Sequence, residues 1–371
     1  MLLPVLPVYL STIGFTALWI GVLEGLAEAV SGFSKAWFGK LSDGYQTRLP
    51  FVRCGYAMSA VSKSMLALFT YPWWVFLSRT MDRLGKGVRT AARDALLADE
   101  SSSKHRGKIF GLNKAMDTAG ATIGTAFAAV YLFYFPGDYK KLFLIAFFPA
   151  VVAVMVTFII RENKREVTSS KKLRGAFAFF GYWKVATPAY KKIVIGFLFF
   201  AIFNSSDAFL FLVGKYCGLD DTTILSAYIF YNVSFALLAL PFGHLADRFG
   251  MKFSYMLGIL FFGIAYFIFP ASSASYIYFI AFFVYSFFAA STDGISKAWI
   301  SRHCEANEKA TALGFYTGSL SIVILLSNLL AGFLWSATSP STLFLVSVGG
   351  TFLTLIYFYF YSPVETEASS T

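Results

Sequence analysis

Long apolar runs recur along the whole chain and decide what it can fold into. Apolar residues make up 57% of the sequence, charged residues only 14%, and the mean hydropathy is +0.64, unlike the composition of a soluble domain. The runs have about the length needed to cross ~30 Å of hydrocarbon as a helix. Because helices satisfy their backbone polar groups internally, the sequence predicts an all-α integral membrane protein.

Twelve apolar segments are predicted as helical spans. The first is too short to cross a bilayer, contains two prolines, and lacks the basic flank and cleavage site of a signal peptide. We therefore expect that the first helix is N-terminally truncated and that residues upstream of Met1 complete it. The predicted spans are 2–13, 17–39, 51–70, 73–97, 108–135, 141–160, 193–213, 222–242, 254–270, 275–300, 309–337 and 341–361.

The net charge of +11 is distributed in the way typical of a membrane protein and not of a nucleic-acid-binding one. Nineteen Lys and Arg residues fall in the connections on one side of the predicted spans, and three, Lys140, Lys141 and Lys215, fall on the other. Basic residues concentrate on the cytoplasmic side. The pattern predicts a cytoplasmic C-terminus.

The long connection 161–192 is also predicted to be cytoplasmic. Its stretch KKLRGAFAFFGYWKVATPAYKK favours an amphipathic segment at the membrane interface, although a solvated linker remains the alternative. The predicted domains are an N-terminal six-helix bundle (1–160), the linker (161–192), a C-terminal six-helix bundle (193–361) and a cytoplasmic tail (362–371).

The two halves repeat one another. Gly39 and Asp43 bracket GKLSD between the second and third spans, and Gly243 and Asp247 bracket GHLAD between the eighth and ninth. A weaker repeat relates Asp82 and Lys86 of the fourth span to Asp293 and Lys297 of the tenth. Internal repeats of this kind are typical of transporter folds.

Twelve spans in two sixes, with G-x-x-x-D and basic residues in the matching loops, resemble the major facilitator superfamily over essentially the whole chain. The stretches GVLEGLAEAVSGFSKAWFGKLSD, RLGKGVRTAARDALLAD, RGKIFGLNKAMDTAGATIG and NSSDAFL resemble a bacterial subgroup of it. The resemblance implies two pseudo-symmetric six-helix bundles and a central cavity lined by the first, fourth, seventh and tenth spans. It also implies secondary transport by alternating access.

The repeated loops are predicted to form a cytoplasmic gate. An aspartate at a helix end can cap a neighbouring helix and hold a basic residue, and a glycine permits close helix approach. The second copy matches the family pattern better than the first, and ordinary charged turns are the alternative. The gate residues are Gly39, Asp43, Arg48, Gly243, Asp247, Arg248 and Lys252.

Glycines in the fifth span, at Gly111, Gly120 and Gly124, follow the spacing that in this family resembles the antiporter motif. Thr125 stands where the motif expects proline. Simple helix packing explains the same spacing equally well.

The fourth span carries six charged residues on one helical face. At 100° per residue they fall within about 120° of each other, and each would cost ~2.5–3.5 kcal/mol in lipid. We therefore expect the face to line the substrate cavity, unless the span ends near Leu84 and the remainder is a cytoplasmic loop. The predicted cavity residues are Arg79, Asp82, Arg83, Lys86, Arg89 and Arg93, with Asp293 and Lys297 from the tenth span.

Other carboxyl groups are candidates for proton coupling. Asp82 is expected to pair with Arg79 or Lys86 along its own helix, and Asp293 is expected to pair with Lys297 at the same offset. Such pairs make both aspartates poor proton carriers. Asp207, in NSSDAFL, has no basic residue within a helical turn and is the stronger candidate. Glu24 and Glu28 form a like-charged pair four residues apart and are the second choice.

Enzymatic chemistry has little support in the sequence. The three His and three Cys residues are scattered without metal-ligand or disulfide spacing, so no metal and no cofactor is expected. Without a nucleotide-binding motif, an ion gradient must supply the energy.

We predict a secondary transporter in the bacterial inner membrane that moves a small anionic or zwitterionic solute, coupled to protons. Drug or metabolite efflux by an antiporter is the alternative within transport, and a non-transporting sensor or assembly subunit is the alternative outside it. The expected partners are the solute, protons and the lipid bilayer, with no nucleic acid, and the chain is expected to be a monomer.

Overall fold

The computed structural model describes residues 2–45, 47–100, 106–160, 162, 182–271, 273–292, 295–304 and 309–361. Over these ranges the chain is helical and contains no strand, which confirms the predicted all-α class. The chain divides into two compact units, residues 1–178 and 179–371. Most of the predicted linker (163–181) and the predicted tail (362–371) lie outside the described residues, so the predicted domain limits stay a prediction.

The N-terminal unit contains six described helices, and each coincides with one predicted span. They are α1 (Leu2–Thr12), α2 (Ala17–Tyr45), α3 (Leu49–Leu68), α4 (Pro72–Glu100), α5 (Arg106–Tyr134) and α6 (Tyr139–Ile159).

The C-terminal unit contains nine described α-helices for six predicted spans. The span 193–213 is divided into two helices, the description of the span 275–300 stops at 292 and resumes at 295, and one short helix falls in the predicted linker. They are α7 (Tyr182–Val185), α8 (Pro188–Phe203), α9 (Ala208–Tyr216), α10 (Asp221–Phe249), α11 (Met251–Ile268), α12 (Ser275–Thr292), α13 (Ile295–Arg302), α14 (Lys309–Ala337) and α15 (Pro340–Tyr361).

Eight stretches of the described chain are long and apolar enough to cross a membrane. Six of them are in the C-terminal unit and two are in the N-terminal unit. In the N-terminal unit, α4 is long enough but too highly charged to count as an apolar span, and α1 is too short with eleven residues. The protein is therefore a multi-pass membrane protein by composition, and a total of twelve crossings stays a prediction. The eight are Ala17–Lys35, Tyr139–Ile159, Pro188–Tyr216, Asp221–Ala246, Met251–Ala271, Ser275–Arg302, Ala312–Ala337 and Pro340–Tyr361.

Close packing of α4 against α2 and α3 depends on three glycines. A Cβ atom on Gly55 would lie 2.6 Å from the Gly85 carbonyl oxygen, and one on Gly85 would lie 2.7 Å from that of Gly55. A Cβ on Gly87 would collide with the side chain of Ser34 on α2. Gly85 and Gly87 therefore let α4 approach both neighbours at the level of its charged residues.

The glycines that the sequence predicts to serve helix packing have few described neighbours. Gly120 and Gly243 are exposed, and a Cβ on either would meet no described atom within 4 Å, so their role in close helix approach stays a prediction. Gly124 lies within α5, and the surroundings of Gly111 and Gly39 lie outside what the structure describes.

The C-terminal unit is held together largely by aromatic packing. Phe197 of α8 lies with its ring centroid 4.6 Å from that of Tyr255, 5.6 Å from Trp299 and 5.8 Å from Phe358. All four side chains are buried. Such ring pairs add to the stabilisation from buried apolar area, and here they join α8, α11, α13 and α15.

Glu162, just beyond α6, caps the N-terminus of α3. Its carboxylate oxygens accept hydrogen bonds from the backbone N–H groups of Arg48 (2.8 and 2.9 Å) and Leu49 (3.0 Å). A carboxylate at this position satisfies otherwise unpaired N–H groups and interacts favourably with the helix dipole. The sequence predicts capping by Asp43 and Asp247, and the cap formed by Glu162 was not predicted.

Glu162→Ala should lower the free energy of unfolding by about 0.5–2 kcal/mol, because two backbone N–H groups lose their acceptor. Thermal unfolding of the purified protein measures this loss. Glu162→Gln is the matched control, since its carbonyl oxygen can still accept one bond, and it should lose less. An unchanged melting temperature for Glu162→Ala would contradict the capping assignment.

Candidate substrate and coupling site

The charged face of α4 is turned toward the other helices of the N-terminal unit. Arg79 and Arg83 are only 6% and 4% exposed, although both stand in a helix of a membrane protein. Asp82, Lys86, Arg89 and Arg93 are partly buried. The face therefore packs against protein, and its predicted place along a substrate cavity stays a prediction.

Glu24 of α2 is the main partner of this face. The Arg79 guanidinium donates to Glu24 Oε1 from Nε (3.1 Å) and from Nη2 (2.6 Å), and Nη2 also lies 2.8 Å from Oε2. This forked geometry is the strongest form of ion pair that proteins make. Arg83 Nη2 lies 3.5 Å from the same carboxylate, so Glu24 is held by two arginines.

Glu28, one turn along α2, completes the group. Its Oε1 lies 2.8 Å from Arg83 Nη1, so Arg83 bridges Glu28 and Glu24. The sequence suggests these two glutamates as proton carriers because like charges repel. In the structure each carboxylate has an arginine partner, which offsets that repulsion.

Asp82 pairs with a different helix from the one predicted. Its Oδ1 lies 3.6 Å from Lys63 Nζ of α3 and 3.4 Å from Ser62 Oγ. The expected ion pairs with Arg79 and Lys86 along α4 are not among those formed by the described residues. Asp82 is still an ion-paired carboxylate, as expected, but it ties α4 to α3.

Lys86 and Arg89 differ from the other cations of α4. Arg89 donates to Ser59 Oγ at 3.3 Å and lies over the Tyr56 ring, 4.6 Å from its centroid. Neither Lys86 nor Arg89 forms an ion pair with a carboxylate within the described part of the chain. These two cations therefore lack the carboxylate partner that Arg79, Arg83 and Arg93 each have in the described chain.

Arg93 joins α4 to α5. Its Nη2 lies 3.2 Å from Asp117 Oδ2, and its Nε lies 3.4 Å from Asp94 Oδ1. Asp117 is exposed, so this contact is a surface ion pair and contributes little to stability.

Asp207 lies in the C-terminal unit, in the break between α8 and α9. The Tyr285 hydroxyl of α12 donates to Asp207 Oδ1 at 2.8 Å, and Tyr285 itself is buried. The role of Asp207 in proton coupling stays a prediction.

The predicted gate residues are described only in part. Asp43 and Asp247 lie in the last turn of α2 and α10, but their side chains lie outside what the structure describes. Arg248 is exposed beside Phe249, and Lys252 Nζ donates to the Tyr359 carbonyl at 3.3 Å. The gate therefore stays a prediction.

The tenth-span residues are also only partly described. Asp293 lies outside the described residues, and Lys297 is exposed on α13. The predicted Asp293–Lys297 pair has no description in the structure, so their place in a cavity is likewise a prediction.

Comparison with known proteins identifies the family. The model described as "Major Facilitator Superfamily" matches residues 1–237 and again residues 193–371. An uncharacterised MFS-type transporter of Methanocaldococcus jannaschii, MJ1317, is 30% identical over 358 residues, which are 93% of this chain and 86% of that protein. The quinolone resistance protein NorA of Staphylococcus aureus is 28% identical over 206 residues, 53% of this chain and 50% of NorA.

Solved structures share the fold at low sequence identity. The nucleoside transporter NupG superimposes with a TM-score of 0.77 at 15% identity, covering 96% of this chain and 93% of NupG. The peptide transporter POT in complex with sulfate gives a TM-score of 0.75 at 13% identity, covering 94% of this chain and 86% of POT. These likenesses are evidence of the fold alone.

Glu24→Gln should lower the free energy of unfolding by about 3–5 kcal/mol, because it leaves two buried arginines without their shared carboxylate. Thermal unfolding in detergent reports the change. Glu28→Gln is the matched control on the same helix, and its loss should be smaller because the Glu28 side chain is 36% exposed. Equal losses for the two variants would show that Glu24 has no special structural role.

Proposed function

The chain belongs to the major facilitator superfamily, and we propose that it is a secondary active transporter of a small anionic or zwitterionic solute, coupled to protons. Its family consists of membrane transporters and not of enzymes. The proposal concerns the class of the solute and the coupling ion, which family membership leaves open.

The observation that carries the proposal is the difference between paired and unpaired cations on α4. Arg79, Arg83 and Arg93 each have a carboxylate partner, whereas Lys86 and Arg89 have none within the described chain. A charge inside a membrane protein is costly and typically marks a substrate or ion pathway. Two partly buried cations without carboxylates therefore favour an anionic group on the solute.

The balance of charge around α4 supports the same conclusion. Five cations on α3 and α4 (Lys63, Arg79, Arg83, Lys86 and Arg89) stand beside three carboxylates (Glu24, Glu28 and Asp82). The cluster keeps two excess positive charges, and a region of one charge sign raises the local concentration of solutes of the opposite sign.

Asp207 is proposed as the proton-coupling group. Asp207 is a carboxyl group in an apolar unit and accepts a hydrogen bond from the Tyr285 hydroxyl, and carboxyl groups in apolar surroundings are typical proton carriers. Glu24 and Glu28 cannot release their charge in this way, because each would leave an arginine unpaired.

Efflux of an amphipathic drug or metabolite by antiport is the second candidate. The similarity to proteins named for quinolone and multidrug resistance and the aromatic C-terminal unit support it. In that case the α4 cations mainly hold the helices together through ion pairs.

A proteoliposome assay with a pH-sensitive dye separates the two candidates when the vesicles are supplied with organic acids or with lipophilic cations. A non-transporting protein gives no solute-dependent proton movement with either.

Lys86→Gln and Arg89→Gln should each weaken binding of an anionic solute by about 1.5–3 kcal/mol, the value of a hydrogen bond to a charged group. That corresponds to roughly 10–150-fold in affinity, with little change in melting temperature. The affinity is measured by ligand-induced stabilisation of the purified protein against a panel of organic acids.

Arg93→Gln is the control for those two variants, because Arg93 already has its partner in Asp117 and its loss should leave affinity unchanged. If Lys86→Gln and Arg89→Gln instead lower stability and leave affinity unchanged, the two cations are structural and the anion proposal is wrong.

Asp207→Asn should abolish proton-driven accumulation while preserving downhill exchange, because asparagine fills the same space but cannot take up a proton. Uptake into proteoliposomes is measured with and without an imposed pH gradient. Tyr285→Phe removes the contact but keeps the carboxyl group, so it should retain accumulation. Uphill transport by Asp207→Asn would exclude Asp207 as the coupling group.

A further inference from the structure

Helix α3 holds the side chain of Arg89 at three points. A Cβ on Gly55 would lie 2.7 Å from both the Cβ and the backbone nitrogen of Arg89, so the base of the side chain rests against α3. The guanidinium lies over the Tyr56 ring, 4.6 Å from its centroid. Its Nη1 donates to Ser59 Oγ at 3.3 Å. We call Gly55, Tyr56 and Ser59 the Arg89 seat.

The Arg89 seat fixes the plane of the guanidinium. The contact with the Tyr56 ring limits its tilt, and the hydrogen bond to Ser59 limits its rotation. Ser59 is only 2% exposed, so water does not compete freely for this bond. A free arginine side chain has about 2 kcal/mol of rotamer entropy to lose, and one that is already held loses less of it when a ligand binds.

One edge of this guanidinium is left for a ligand. Nη1 is bonded to Ser59, whereas Nε and Nη2 form no hydrogen bond with the described residues, and Arg89 is partly exposed. Arg79 of the same helix shows what that edge can bind, because its Nε and Nη2 hold the Glu24 carboxylate at 3.1 and 2.6 Å. Arg89 presents the same edge without a carboxylate from the described chain.

Helices α3 and α4 have other contacts that hold them together. Their backbones meet at Gly55 and Gly85, and Lys63 pairs with Asp82 at 3.6 Å. A charge kept inside a membrane protein is costly and typically has a function. The open edge of Arg89 therefore points to binding and not only to helix packing.

The chemistry of the open edge selects an oxyanion. Two parallel N–H groups match two oxygens of one carboxylate or phosphate group. Chloride is a single atom, so it cannot give each N–H group its own acceptor. Lys86, three residues before Arg89, is its neighbour on the helix surface and adds a positive charge that has no planar geometry.

We propose that Tyr56 and Ser59 are positioning residues, which orient Arg89 so that its Nε and Nη2 bind a carboxylate or phosphate group of the solute side by side. This inference rests on the proposed function, because it takes the solute to be anionic. It adds the residue that binds the anionic group, the geometry of the contact and the residues that set that geometry.

The test measures the affinity of the full-length protein in detergent for sodium acetate, sodium phosphate and sodium chloride at equal ionic strength. The affinity is taken from the rise in melting temperature with concentration. General salt effects on stability are common to the wild type and Arg89→Gln, so the difference between these two proteins reports binding. The wild type should bind acetate or phosphate more tightly than chloride, and the stronger of the two identifies the anionic group.

Tyr56→Phe keeps the ring under the guanidinium and should retain the affinity. Tyr56→Leu removes the ring and should lower the affinity roughly 2–30-fold, the range of a cation–π contact. Arg89→Lys keeps the charge but loses the paired N–H groups, so it should bind as weakly as Arg89→Gln. Lys86→Arg keeps the charge that the site needs and should bind as the wild type does.

Four outcomes would contradict the proposal. If Arg89→Gln weakens binding but Arg89→Lys or Tyr56→Leu does not, the solute is still anionic and only the positioning role is wrong. Equal losses in Tyr56→Phe and Tyr56→Leu would also exclude the ring contact, and equal affinity for the three salts would exclude the paired geometry. If neither Arg89→Gln nor Lys86→Gln weakens binding of any probe, the proposed function fails together with this inference.

Discussion

The forked ion pair between Glu24 and Arg79 is the interaction on which the N-terminal unit depends. Helix α4 carries more charge than a membrane span normally does. It is stable inside a membrane protein because its charges meet partners on α2 and α3 and are not left in lipid. The glycines at 85 and 87 make this possible by bringing the helices close enough for side chains to reach. Once these pairs are formed, Lys86 and Arg89 are the cations of this face left without a carboxylate in the described chain, and the proposed anion site rests on them.

The two halves repeat in sequence but differ in what holds them together. The N-terminal unit uses ion pairs between helices, whereas the C-terminal unit uses aromatic rings such as Phe197, Tyr255 and Trp299. Each half also contains one unusual polar feature within its apolar helices: the charged face of α4 and the break at residues 204–207. The proposed function uses both features, with the charged face assigned to the solute and the break, through Asp207, to the proton.

Helix positions could be predicted from the sequence because apolar runs report burial in lipid directly. The predicted segment 309–337 coincides with α14, and the charged face of α4 was found from its 100° periodicity. The partners of that face could not be predicted, since the rotation of α3 that brings Lys63 to Asp82 leaves no trace in the sequence of α4. The break in the predicted span 193–213 was missed, although the polar run NSSD within it was the available signal.

The contact between Gly55 and Gly85 has a mechanical consequence. With the backbones of α3 and α4 touching, and Gly87 resting on Ser34 of α2, these helices leave one another no room to slide or rotate separately. A rearrangement that separated α3 from α4 would have to break this backbone contact, so we expect α2, α3 and α4 to move together. Lys86 lies between the two glycines on α4, so its backbone follows any such movement, while its long side chain can still change rotamer.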